Sequence, residues 1–254
     1  MKYIIMCKLK ASFVHGLITI LVAAVTACVV YLLWYPGEFA NMVGGTELYW
    51  LVLAVEVCLG PLMSLVIFNP KKPRAELIRD YCVIALIQLT ALGYGLHTVM
   101  ISRPVFLVFV KDRIEVVSAV ELSTDDLATA KDEMFQRLSW FGPVSVCTES
   151  PVDPKERSDI LLSALHGKDI ELMPAYYRSC AKAEVYEKAY TKEQLFSLTE
   201  TLPEKLPKNV RQWEFRWLPV KTRFGAWIAL YPSDRNFEPF YLEVDPFAIE
   251  ENRG

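Results

Sequence analysis

This chain has no surplus of positive charge, no closely spaced cysteine pair and hardly any histidine. Lys and Arg number 27 against 30 Asp and Glu, with three histidines in 254 residues. Without a basic stripe, nucleic-acid binding lacks its electrostatic footprint. Beyond residue 101 the one histidine is His166, beside Gly167 at a predicted helix end, where capping fits better than metal ligation. With no second histidine or cysteine cluster beside it, no zinc site is expected. The chain also lacks a Gly-x-Ser-x-Gly elbow, a Ser-x-x-Lys motif and a phosphate-cradling glycine loop. Carboxylates are plentiful, but any two could be proposed as a glycosidase acid and base, so their spacing carries no weight. The expectation is a protein that is not an enzyme and needs neither metal nor cofactor.

Charge is scarce in one region above all. Of the basic and acidic residues, seven and five lie in 1–101, which leaves 20 and 25 in 102–254. Mean hydropathy is +0.24 and 53% of residues are apolar, an average that hides this boundary. Three long apolar runs fill the first part, from about Phe13 to Trp34, Leu48 to Phe68 and Tyr81 to Ile101. About 20 residues of helix cover roughly 30 Å of hydrocarbon, so each run predicts a transmembrane span. Trp34-Tyr35 closes the first as interfacial aromatics do, and Pro36-Gly37, Asn69-Pro70 and Ser102-Arg103-Pro104 break the helices. Val25-Thr26-Ala27-Cys28 has the form of a lipoprotein cleavage box, but the apolar run continues through Val29 to Trp34 where a processed chain would turn polar.

The loops give an orientation. Lys2, Lys8 and Lys10 precede the first span, and Lys71, Lys72, Arg74 and Arg79 fill the link between the second and third. The first link carries only Glu38 and Glu47. The positive-inside rule therefore predicts a cytoplasmic N-terminus and, after three crossings, a domain outside the cytoplasm. The division is 1–101, membrane, and 102–254, outer domain.

Within the spans, Glu56 stands out, because a carboxylate at the bilayer centre costs about 2.5–3.5 kcal/mol on insertion scales. It is read either as a protonated or internally paired acid, or as a docking point for a polar group on a partner helix. Gly60-Pro61 nearby can loosen the helix and free backbone carbonyls. Ala91 with Gly95, and Ala23 with Ala27, are small-xxx-small pairs that allow close helix approach.

The outer part predicts an α+β domain with a mainly antiparallel sheet. Strands are expected at 105–110, 114–120, 143–148, 213–220, 224–231 and 240–244. Helices are expected from Ser123 to about Leu138, from Asp153-Pro154 to Gly167, and from Thr191 to about Thr201, with a short amphipathic piece over 175–188. Trp213, Trp217 and Trp227 lie on strands and are expected in the core, the alternative being a solvent-facing binding surface. Cys147 and Cys180 are alone in this domain, and an oxidising compartment would permit a disulfide between them.

Several motifs occur in a telling order: Trp34-Tyr35-Pro36-Gly37, the acid before Gly60-Pro61, Phe68-Asn69-Pro70, Ala91-Leu92-Gly93-Tyr94-Gly95-Leu96, then Arg103-Pro104-Val105-Phe106-Leu107-Val108-Phe109. Gly167-Lys168-Asp169, Leu172-Met173-Pro174-Ala175-Tyr176-Tyr177 and Leu218-Pro219 follow. In these the chain resembles the type IV pilin accessory proteins (the TfpX/TfpZ group), most closely over residues 30–115. The resemblance implies a bacterial inner-membrane protein with a periplasmic domain, assisting assembly of a type IV pilin subunit, alone or with other pilus assembly proteins. No catalytic residues come with it. Glu56, Gly60, Pro61, Ala91 and Gly95 are the expected contacts to the pilin's membrane helix. The alternatives are a membrane-anchored sensor that binds a ligand, and an envelope enzyme acting on thiols or glycans.

Overall fold

The computed structural model describes residues 2–198, 206–233 and 239–246. The chain divides into two compact units, Met1–Ser102 and Arg103–Gly254.

In the first unit, α1 (Lys2–Cys28) runs into a π-helical segment, Val29–Trp34. A single turn, α2 (Phe39–Met42), leads to α3 (Gly45–Ile67), and α4 (Arg74–Ile101) completes the unit. Three helices are long and apolar enough to cross a membrane, and most of their apolar surface faces outward. The first and third start earlier than the apolar runs, at Lys2 and Arg74 rather than near Phe13 and Tyr81. Nothing in those leading turns breaks a helix, so the backbone continues past the hydrophobic boundary.

Where α1 ends, the Trp34-Tyr35-Pro36-Gly37 motif acts as a plug. Tyr35 is fully buried, and its hydroxyl donates to the Val99 carbonyl of α4 at 2.6 Å. Its ring lies on Gly45, where an added Cβ would come within 2.5 Å of a ring carbon. Glycine is thus required at the start of α3, and one side chain fastens three segments.

The second unit is built on an eight-stranded sheet among the described residues, ordered β4-β3-β1-β2-β6-β7-β8, with β5 also on β6. The strands are β1 (Pro104–Val110), β2 (Arg113–Ser118), β3 (Val144–Thr148), β4 (Tyr177–Arg178), β5 (Tyr190–Thr191), β6 (Phe215–Thr222), β7 (Gly225–Pro232) and β8 (Phe240–Leu242). Pairs β1–β3 and β2–β6 are parallel and the rest antiparallel, so the mainly antiparallel α+β expectation holds. β1 is buried at every position, which is why its sequence is a continuous apolar run rather than an alternation. One core gathers around Phe106, Phe135 and Tyr177, another around Leu195, Trp217, Ile228 and Leu230.

Two expectations need correction. The helix expected from Ser123 to Leu138 is only α5 (Thr124–Ala128), followed by a 3-10 turn at Glu133–Phe135. Asp132 caps Met134 N at 2.9 Å and so starts a new turn, which drives Phe135 fully into the core. The piece expected over 175–188 divides into β4 and α7 (Lys182–Lys188), because Tyr177 is drawn into the core beside β3. Elsewhere α6 (Pro154–Leu165) ends at Gly167, whose φ is +84°, and α8 (Lys192–Leu198) opens on the Thr191–Gln194 capping box. The helix end near Thr201 and Pro203 lie outside the described residues; α9 (Lys208–Arg211) follows Pro207.

Candidate functional site

The buried residues of α3 are Gly45, Tyr49, Glu56, Gly60 and Ser64. Glycine, hydroxyl and carboxyl groups line the inward stripe instead of leucine. That is the pattern expected in lipid, where apolar contact alone does not drive helices together.

Around Gly60 the three helices meet in a polar junction. His15 of α1 lies 2.5 Å from Ser64 Oγ through Nδ1 and 2.8 Å from Gln88 Oε1 of α4 through Nε2. Because Gln88 Oε1 can only accept, Nε2 donates to it, while Nδ1 and the Ser64 hydroxyl share the other bond. Ser12 donates to the Pro61 carbonyl at 2.8 Å, and Thr19 to the His15 carbonyl at 3.1 Å. A Cβ on Gly60 would come within 2.5 Å of Gln88 Nε2 and 3.2 Å of His15 Nε2. Gly60 is therefore the gap through which α1 and α4 reach each other across α3. Pro61 is used in the same way: a Cβ on Gly16 would meet its Cγ at 3.4 Å.

The sequence-chosen residues thus have distinct fates. Gly60 and Gly95 are buried inside the bundle, Gly95 so tightly that a Cβ would come within 2.7 Å of Val52 Cγ1. Ala23 receives the Tyr49 hydroxyl on its carbonyl at 2.7 Å, a bond that Thr26 supports at 2.8 Å. Ala91 is exposed and lines a cavity of about 90 Å³ with Glu56, Leu59, Ile87 and Gln88. Glu56 itself is 9% exposed and makes no hydrogen bond or ion pair among the described residues. Of the buried polar side chains in this unit, Thr19 and Ser64 have partners and Glu56 has none among the described residues. His15, Ser64 and Gln88 went unselected in the sequence. Their signal was available: a polar side chain inside an apolar run needs a partner.

In the outer unit Cys147 and Cys180 form a disulfide, with Cα atoms 5.1 Å apart. It ties β3 to the segment between β4 and α7. Cys147 is 1% exposed. Glu184 stands close to both sulfurs but is engaged by Arg178 at 2.6 Å and Lys188 at 2.9 Å. Arg178 first, then Lys188, pulls its carboxyl down to about 2. His166 sits at the end of α6 with Nδ1 2.9 Å from the Leu162 carbonyl. Trp217 and Trp227 are core residues, and Trp213 is half-buried against Phe240. A cleft of about 680 Å³ opens beside Asp112, Arg113, Tyr190, Gln194, Trp217 and Lys221. At its edge Glu115, 7% exposed, is paired to Arg113 at 2.5 Å.

Comparison with known proteins places this geometry among relatives. The profile of the family "Fimbrial assembly protein FimB" matches residues 5–44, the stretch that carries Ser12, His15, Thr19 and the Tyr35 plug. A fimbrial assembly protein of serogroup I from Dichelobacter nodosus is 30% identical over 252 residues, covering 94% of this chain and 96% of that protein. The serogroup E1 protein of the same organism is 29% identical with the same coverage. A third, of serogroups C1 and C2, is 36% identical over 121 residues, 48% of this chain and 92% of that protein. No solved structure matches the chain.

Proposed function

Since the chain belongs to the fimbrial assembly protein family, we propose that it is a non-enzymatic inner-membrane accessory that stabilises a type IV pilin subunit before and during pilus assembly. A pilin awaiting assembly hangs in the membrane by one helix with its head outside. A helper then needs helices that can pack against that helix and an outer domain that can shield the head. The observation that carries this reading is Glu56, a buried carboxylate without a partner among the described residues, lining a small cavity between α3 and α4 that reaches exposed Ala91. A polar or N-terminal group on the pilin helix would satisfy it. The basic residues of the N-terminus and of the second link support a cytoplasmic placement for both, and hence a periplasmic C-terminal domain. The disulfide supports the same compartment.

Thiol exchange is disfavoured by the burial of Cys147 and by the absence of a Cys-x-x-Cys motif. A second reading, an anchored ligand receptor, is favoured by the outer cleft, where Trp217 Nε1 is buried without a partner among the described residues. Small molecules that co-purify with the full chain and are lost in Tyr190→Ala would support that reading.

The test of the main proposal is site-directed photocrosslinking from positions 55, 59, 87 and 91, with pilus counts in cells carrying Glu56→Leu. We expect crosslinks to the pilin from these four positions and fewer pili in the variant. Crosslinks confined to the outer domain, with normal pilus number in the variant, would remove the membrane-docking role.

A further inference from the structure

A second feature of the membrane unit lies between α1 and α4 and shares Gln88 with the Glu56 cavity. An open groove of about 700 Å³ runs between α1 and α4. Its polar floor is the His15–Gln88 pair, already bonded at 2.8 Å. Its sides are apolar and aromatic, with Val14 and Ile18 on α1, Tyr81 and Ala85 on α4, and Phe68 just past α3. Lys10 stands in the lining. From Cys7 to Ile18 the α1 wall rises about 17 Å, close to the roughly 15 Å of one hydrocarbon leaflet.

The charge near this groove is not randomly disposed. Lys8 is taken up by the Val66 carbonyl at 3.1 Å, and Lys72 by Asp80 at 2.7 Å and Glu76 at 3.2 Å. Lys10 and Arg74 are exposed and form no ion pair among the described residues. Arg74, Tyr81 and Gln88 follow one another at seven-residue intervals, so they share one face of α4. Tyr81 and Gln88 line the groove on that face, and Arg74 follows two turns N-terminal to Tyr81, outside the lining itself. An apolar trough one leaflet long, with two unneutralised cations at its mouth, has the chemistry of a lipid site.

A partner helix fits this groove less well. No glycine lines it among the described residues: Gly16 meets Pro61, Gly95 meets Val52, and Gly60 meets the His15–Gln88 pair from within the bundle. The groove is flanked instead by the bulk of Ile18, Phe68 and Tyr81, which holds a second backbone away but leaves room for an acyl chain.

We propose that the α1–α4 groove binds an anionic phospholipid. One acyl chain lies along the wall past the His15–Gln88 pair toward Ile18, and Lys10 and Arg74 hold the phosphate of the headgroup. This site meets the Glu56 cavity at Gln88 but does not include Glu56, and it does not depend on the pilin reading.

The test is native mass spectrometry of the full chain purified in detergent and offered phosphatidylglycerol or phosphatidylcholine with identical acyl chains. The wild type retains phosphatidylglycerol in preference. Lys10→Gln with Arg74→Gln reduces that retention on the order of tenfold, while Lys71→Gln and Arg79→Gln leave it unchanged. Ala85→Phe, which fills the wall, lowers retention of the whole lipid. Should Ala85→Phe fail to fold, the surface charge variants still decide the matter. Equal retention of the two lipids, or a phosphatidylglycerol preference that survives loss of Lys10 and Arg74, overturns the proposal. So does a photocrosslinker at position 85 that captures protein instead of lipid.

Discussion

At the scale of single residues, the membrane unit depends on side chains whose value lies in whom they meet. His15 is held on both ring nitrogens, by Ser64 and Gln88, in a place where an unpaired polar group is costly. We expect His15→Ala and Gln88→Ala to be coupled by about 1 kcal/mol in a double-mutant cycle read by thermal unfolding in detergent. Additive losses would contradict the junction. Glu56 was legible in the sequence, because a lone charge in an apolar run announces itself. His15 gave only the general signal of a polar group in an apolar run, and Gly45 gave none, since their partners appear only once Gln88 and the Tyr35 ring are brought against them. In the outer unit, Lys168 and then Ser123 hold the Asp126 carboxyl down to about 2. An ordinary unfolded Asp titrates near 3.9, so the unfolded state binds the extra proton between these values. The stabilisation is therefore complete above about pH 4 and is lost as pH falls toward 2. The pair is partly exposed, which limits it to about 1 kcal/mol. Denaturant titrations from pH 5 to 2 should show Asp126→Asn flattening this part of the acid limb, and an unchanged limb would refute the pairing.

At the scale of elements, the strands were easier to find than the helices around them. β1, β2, β6 and β7 announce themselves by dense β-branched and aromatic runs, and the α8 capping box is as readable in sequence as in structure. The helix expected over 123–138 failed because a second local cap, Asp132, competes with helix continuation, and core packing of Phe135 decides the contest. β4 has only two residues, too few for any pattern, and exists because its neighbours pin it. The disulfide is one of those pins. It closes a loop between residues 33 positions apart, which in the chain-entropy treatment is worth about 4 kcal/mol. Cys147→Ser with Cys180→Ser should lower the stability of the outer domain by roughly 2–4 kcal/mol. It should also raise hydrogen exchange first at Tyr177–Arg178 and in α7. A loss under about 0.5 kcal/mol would mean that the bond is not a staple.

At the scale of the whole molecule, three apolar helices and a mixed-sheet domain serve one arrangement: a membrane bundle fastened from within, carrying an α+β domain after its third helix. Buried polar side chains such as Thr19 and Ser64 are spent on holding the bundle together, and Glu56 has no such partner among the described residues. The pilin-helper reading requires the domain after α4 to share a compartment with the pilin head. Paired fusions measure this directly. Alkaline phosphatase, active only where its disulfides form, and a fluorescent protein that matures only in the cytoplasm are each joined after Gly254 and after Lys71. The account predicts an active phosphatase and a dark fluorophore after Gly254, with the reverse after Lys71. A bright fluorophore and inactive phosphatase after Gly254 would contradict it.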